Sequence, residues 1–253
     1  MKPSVESVKK QLFDIWTEAG VGDHEWVPLV PHALKEGCVL FVGMNPSFSK
    51  RGWKQVVEKG GGPHANPFAE LAWGNRDSLD VRKWTEIEEN SLKTHSYFRV
   101  FNAFGNATGC SWDHIDLFQY RHTNQREAEG RLLESTDPLK LTPFGDRQLA
   151  VSLSLIEQCQ PRAIVVVNAL GSRIMREARH PVFDSESGCH WLSINGPKVP
   201  VFFSSMLTGQ RALDVFSRLR LFWHVSQVLD MPFPAEAWDN LGSAEPADGA
   251  AGE

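Results

Sequence analysis

The sequence predicts an α/β fold: a three-layer αβα domain on a four-stranded, mainly parallel central sheet. Three observations carry the prediction. Four apolar runs have strand length and no polar alternation, as strands covered on both faces do. Helix-periodic segments separate them, the order in which crossover helices link parallel strands. The 253 residues, 42% hydrophobic and 23% charged, also suffice to bury a core without disulfide staples.

The N-terminal segment 1–35 opens with a helix, because Val5, Val8, Leu12, Ile15 and Trp16 recur on one face with charges between them. It contains no continuous apolar stretch, so neither a signal peptide nor a membrane span is expected. The first strand is CVLFVG at 38–43, and a helix around Phe98 to Phe104 leads to the second, HIDLF at 114–118. A helix at 146–159 carries Leu149, Leu153 and Ile156 and stops before Pro161, which cannot continue it. RAIVVVNA at 162–169 is the third strand and VPVFFS at 199–204 the fourth. A last helix, from about 210 to 229, has Ala212, Val215, Phe216, Leu219, Phe222 and Trp223 at helical spacing.

The formal charge of -5 argues against a strongly basic nucleic-acid binder. That charge is unevenly placed. Residues 235–253 hold Glu236, Asp239, Glu245, Asp248 and Glu253 with no Lys or Arg, so this segment accounts for the whole -5 and residues 1–234 are formally neutral. The Gly-, Ala- and acid-rich end reads as a disordered tail on one α/β domain spanning 1–234. Cys38, Cys110, Cys159 and Cys189 are widely spaced and read as reduced thiols of a cytoplasmic protein, with an iron–sulfur cluster the alternative. The nine histidines form no metal-ligand motif, so neither a metal nor another cofactor is expected.

In such folds ligands bind outside the carboxyl ends of the strands. The four exit loops, GMNPSFSKRG, QYRHTNQR, LGSR and SMLTGQR, are therefore expected to converge on one crevice. In the first, Gly43 permits a tight exit, Asn45 places an amide at the strand tip and Pro46 fixes the turn before Ser47. The same residues also read as an ordinary strand-exit turn whose Asn satisfies local backbone groups.

VLFVGMNPS resembles the first motif of the uracil-DNA glycosylase superfamily, in its mismatch-specific uracil, thymine and single-strand-selective branch. Further matches follow in order: GGGPHANPFAEL, SYFRVFNAFG, IDLFQYRHT, PRAIVVVNALGS and VPVFFSSMLTGQRAL, over roughly residues 36–225. The resemblance implies hydrolysis of an N-glycosidic bond of a base flipped out of double- or single-stranded DNA, by a monomer that leaves an abasic site without lyase activity. Asn45 would hold the attacking water, and Gly43, Met44, Pro46 and Ser47 would frame the base. Phe68 would stack on the base, with a core Phe as the alternative. His122 would donate to the departing base or lie on the surface. Trp53 and Trp73 are near enough in sequence to these loops to contact bases.

Two departures from the family pattern matter. The last loop lacks the family's histidine, leaving Thr208 and Gly209 with Gln210 or Leu207 as wedge, followed by Arg211. The stretch 73–95 is an insertion expected over the base pocket or the DNA groove. Asp116 stands where relatives carry a base-reading Asn. As an ionised acceptor it would favour an exocyclic amine, hence a modified cytosine, of which a glycosylated hydroxymethylcytosine of phage DNA is one. Its alternative roles are a helix cap or a pair with Arg121. Lys50, Arg51, Lys54, Arg121, Arg126, Arg173, Arg176 and Arg211 follow the strands as candidate phosphate contacts, with Arg173 and Arg176 placed near a helix N-terminus.

From another class, the alternative is a catalytically silent DNA- or nucleotide-binding protein of the same fold. A Rossmann cofactor enzyme is weaker, since no G-x-G-x-x-G follows a strand. If the acidic tail competes with phosphate, deleting residues 240–253 tightens DNA binding at low salt, measured by titration of a labelled duplex. Weaker binding on truncation would contradict this reading of the tail.

Overall fold

All four apolar runs become strands of one sheet. A computed structural model describes residues 4–47, 49, 54, 67–208 and 212–236. In chain order its main elements are α1 (Val5–Glu18), β1 (Val39–Gly43), α2 (Val81–Thr94), α3 (Arg99–Thr108), β2 (Trp112–Asp116), α4 (Gln125–Leu132), β3 (Leu133–Thr136), β4 (Leu139–Leu141), α5 (Pro143–Cys159), β5 (Ala163–Val167), α6 (Ala169–Arg179), β6 (Val182–Asp184), β7 (Cys189–Ser193), β8 (Lys198–Ser204) and α7 (Val215–Val228). The tail assigned to 235–253 falls almost wholly outside the described residues.

The sheet has six strands in the order β2-β1-β5-β8-β7-β6, not four. β1, β5 and β8 run parallel, with Phe41 opposite Val165 and Val165 opposite Phe202. β7 and β6 add antiparallel, so the sheet is mixed. The two extra strands form a hairpin at the sheet edge, and the exposed Val182 and Phe183 on its outermost strand give it no continuous apolar run. β3 and β4 make a separate two-stranded sheet.

The described chain divides into two compact units, each built from interleaved segments. One comprises residues 35–43, 96–115 and 159–253 and holds nearly all of the six-stranded sheet. Its core sets Val39, Phe41, Ala163, Val165, Val167 and Phe202 against Val100, Phe101 and Phe104 of α3 and Leu219, Phe222 and Val225 of α7. The alternate strand residues Leu40, Val42, Ile164, Val166 and Val201 are buried too, which is why these strands lack polar alternation. On α7 the buried stripe runs through Leu219, Phe222 and Val225, whereas Phe216 and Trp223 are exposed. Arg218 shares the buried face and donates to the Leu207 carbonyl at 3.4 Å.

The second unit comprises residues 1–34, 44–95 and 116–158. Ser4 caps α1 by accepting from the Ser7 amide at 3.1 Å, and Val8, Leu12, Ile15 and Trp16 form the buried face. Trp16 packs edge-on against Phe144, with ring centroids 4.8 Å apart, and donates from its indole to the Trp26 carbonyl at 3.0 Å. The expected insertion 73–95 is here a 3-10 turn, Trp73–Ser78, followed by α2, which Asp80 caps at 3.1 Å to the Lys83 amide. Among the described residues no helix is long and apolar enough to cross a membrane.

Phe41 touches Phe101, Phe104, Trp112 and Phe222 at centroid distances of 4.5–6.2 Å. Phe41→Ala should therefore cost about 3–5 kcal/mol in urea unfolding. A loss below about 1 kcal/mol would contradict this account of the core.

Candidate active site

β1 ends at the buried Gly43, and the chain then turns through Met44 and Pro46, both buried, to the exposed Ser47. A second loop leaves β2 after Asp116. The two loops are stitched together by backbone and side chain alike. The Phe118 amide donates to the Met44 carbonyl at 2.9 Å and the His122 amide to the Pro46 carbonyl at 3.0 Å. Between these rungs the Asn45 amide nitrogen donates to the carbonyls of His122 at 2.8 Å and Tyr120 at 3.3 Å. Ser47 adds a hydroxyl contact to Thr123 at 3.4 Å.

Two carbonyls facing the same end of the Asn45 side chain identify that end as its nitrogen. The opposite end is then Oδ1, an acceptor that receives no hydrogen bond among the described residues. The turn reading holds for the amide nitrogen of Asn45, and the oxygen is left available to a ligand. The nitrogen braces the loop, while the oxygen has the capacity to hold a water or a ligand donor.

The β2 loop is braced from behind by a buried polar network. The Gln119 amide nitrogen donates to the Asp116 carbonyl at 2.8 Å and to Ser152 Oγ at 3.0 Å, while Gln148 Oε1 accepts from the Gln119 backbone at 2.9 Å. Tyr120 donates to Glu25 at 2.9 Å, and burial, with this neighbouring acid adding to it, pushes its hydroxyl well above its ordinary range.

Asp116 is 8% exposed, and its carboxylate oxygens take no hydrogen bond among the described residues. The expected pairing with Arg121 is not what forms. Arg121 is 2% exposed, donates from Nε to the Val27 carbonyl at 3.1 Å, and makes its ion pair with Glu88 of α2. Burial pushes Asp116 up to about 7, with Arg121 only partly offsetting it. Near neutrality, then, Asp116 is poised between the protonated acid and the acceptor-only carboxylate read from its residue type. Burial raises Glu88 as well, opposed by Arg121 and by His32.

The other expected site residues have varied placements. Phe68 is half-buried and packs edge-on against Trp26, with ring centroids 5.5 Å apart. His122 is half-buried, stacks on Tyr120 with centroids 5.7 Å apart and lies 3.2 Å from Glu127. Arg121, expected on phosphate, is interior. Arg126 and Arg176 are exposed, but Arg176 stands in the last turn of α6, where a cation suits the helix dipole, and not near the N-terminus. Arg173 pairs with Glu177 at 3.0 Å. Thr208 is buried, its hydroxyl without a hydrogen-bond partner among the described residues, and Leu207 belongs to the apolar core instead of forming a wedge. Lys50, Arg51, Trp53, Gly209, Gln210 and Arg211 lie outside the described residues.

The buried ion-pair partner that sequence reasoning missed is Glu88. Its signal was present: Val81, Trp84, Thr85 and Leu92 mark the buried face of α2, and Glu88 falls on that stripe four residues after Trp84. A carboxylate there needs a buried cation. No protein-family model and no curated protein matches the chain.

Burial pushes Asp116 from its ordinary 3.8 up to about 7, so between those values the fold should keep a proton that the unfolded chain has lost. Stability should fall as pH rises through that window and level off above it, by up to about 4 kcal/mol. Relative to the parent, Asp116→Asn should therefore gain several kcal/mol, on the order of 3, between pH 4 and pH 8 in urea unfolding. An unchanged difference across that range would contradict the raised value.

Proposed function

We propose that the chain is a monofunctional DNA glycosylase acting on a flipped pyrimidine, with a modified cytosine as the preferred base and an abasic site as product. The observation that carries this reading is the Asn45 amide at the tip of β1, oriented by two carbonyls of the β2 loop so that its oxygen is an available acceptor. In a superfamily resembled across most of the chain, that strand tip is where the water is held. The finer fold reading goes with it: a three-layer αβα domain, here with the sheet extended by the β6–β7 hairpin.

Cleavage passes through an oxocarbenium-like sugar and an anionic base. The N-glycosidic bond breaks with its electron pair going to the base, the water oxygen bonds to the anomeric carbon, and the water's proton ends on the released base. Asn45 cannot take that proton as a carboxylate does, so its part is to position the water while other donors stabilise the departing base. The backbone N–H groups of Asn45 and Ser47, which donate no hydrogen bond among the described residues, are available to that base. Among the described residues, Lys54, Arg126 and the basic residues of α6 are the candidates for holding DNA.

The test is alkaline cleavage of labelled duplexes carrying uracil, mismatched thymine or modified cytosines. Strand cleavage at a modified cytosine is expected, and Asn45→Ala should slow it at least 100-fold, about 3 kcal/mol of transition-state stabilisation, while DNA affinity is retained. Binding without release of any base on the panel would favour the catalytically silent alternative.

A further inference from the structure

The interior cluster of Arg121, Glu88 and Asp116 contains one permanent cation and two carboxyl groups. An arginine keeps its proton in a protein, so the cluster is neutral when one carboxyl is ionised and the other is not. The geometry decides which is which. Glu88 holds the guanidinium in an ion pair, the Val27 carbonyl fixes Arg121 Nε at 3.1 Å, and Asp116 takes no hydrogen bond on its carboxyl oxygens among the described residues. Among the described residues, the charged group acting on Asp116 is Arg121, and those acting on Glu88 are Arg121 and His32. α5 supplies only neutral groups behind the loop, Gln148 and Ser152, which reach Gln119.

We propose that Glu88 is a specificity-setting positioning residue: by keeping Arg121 in an interior ion pair it leaves Asp116 a neutral acid, presenting one O–H donor and one carbonyl acceptor to the Watson–Crick edge of the base. This deepens the glycosylase reading and rests on it. A neutral carboxyl matches the cytosine edge, donating to N3 and accepting from the N4 amino group. An ionised carboxylate would set a second acceptor against the N3 lone pair. The same O–H at N3 draws charge from the base as its bond to the sugar breaks, the assistance that a site without a strong base requires. The insertion carrying α2 thus acts on the chemistry through Arg121, without touching the base.

The test follows Asp116 in the full chain by carbon-13 NMR of labelled aspartate, with the resonance assigned by its loss in Asp116→Asn. In the parent it should titrate near 7. Glu88→Gln releases the guanidinium toward Asp116 and should lower that midpoint by about one pH unit or more. Glu88→Gln combined with Arg121→Gln removes both charges and should raise the midpoint above the parent's. This charge-balanced double variant keeps the test decisive if the single one does not fold. A parent Asp116 titrating in the ordinary carboxylate range, or the same midpoint in parent and variants, overturns the role of Glu88. Base release from modified-cytosine duplexes should decline as pH rises through the NMR midpoint of each protein, and a decline that ignores those midpoints overturns the base-reading role. Absence of base release at every pH defeats the glycosylase reading separately, with the NMR result still deciding how Glu88 acts on Asp116.

Discussion

The buried ion pair between Arg121 and Glu88 is the constraint on which the candidate site depends. Placing a guanidinium at 2% exposure is tolerable only with a carboxylate on it, and removing that partner leaves a charge stranded in a medium that cannot solvate it. Such pairs add little net stability over an apolar core, so what this one contributes is arrangement. It ties α2, the chain at Val27 and the β2 loop together within one unit, with Arg121 also acting on the Asp116 carboxyl.

The second arrangement is the seam between the two strand-exit loops. Met44 and Pro46 supply carbonyls to it, Asn45 supplies a side-chain donor, and each rung limits where the next residue can stand. A short amide serves here better than a longer or charged group, because it carries a donor for the seam and an acceptor for a ligand on the same planar unit. In the proposed function, structural and catalytic roles would then be carried by different atoms of one residue. Asn45→Asp would replace the seam's donor with a second acceptor and so disturb the brace and the chemistry together.

Much of this was legible in the sequence. Unalternated runs such as Ala163–Val167 had to be strands buried on both faces, and the loop after Val39–Gly43 was marked by Gly, Asn and Pro at fixed offsets. The β6–β7 hairpin was not legible, because Val182 and Phe183 face solvent and the pattern there is neither apolar nor cleanly alternating. The upward shift of Asp116 was not legible either. A residue type carries an ordinary pKa, while the departure from it comes from burial, which the Arg121 cation only partly offsets. Arg121 likewise read as a surface charge because its loop is polar, and only tertiary packing turns it inward.

The central claim is that the strand-tip amide and the protonated carboxyl belong to a site that releases a pyrimidine from DNA. Mass spectrometry of the small-molecule fraction, after incubating the protein with duplexes carrying C5-modified cytosines, tests it most directly. The account predicts a free modified base in amounts matching the abasic sites left in the strand. Intact oligonucleotides with no free base, from protein that still binds the duplex, would contradict it.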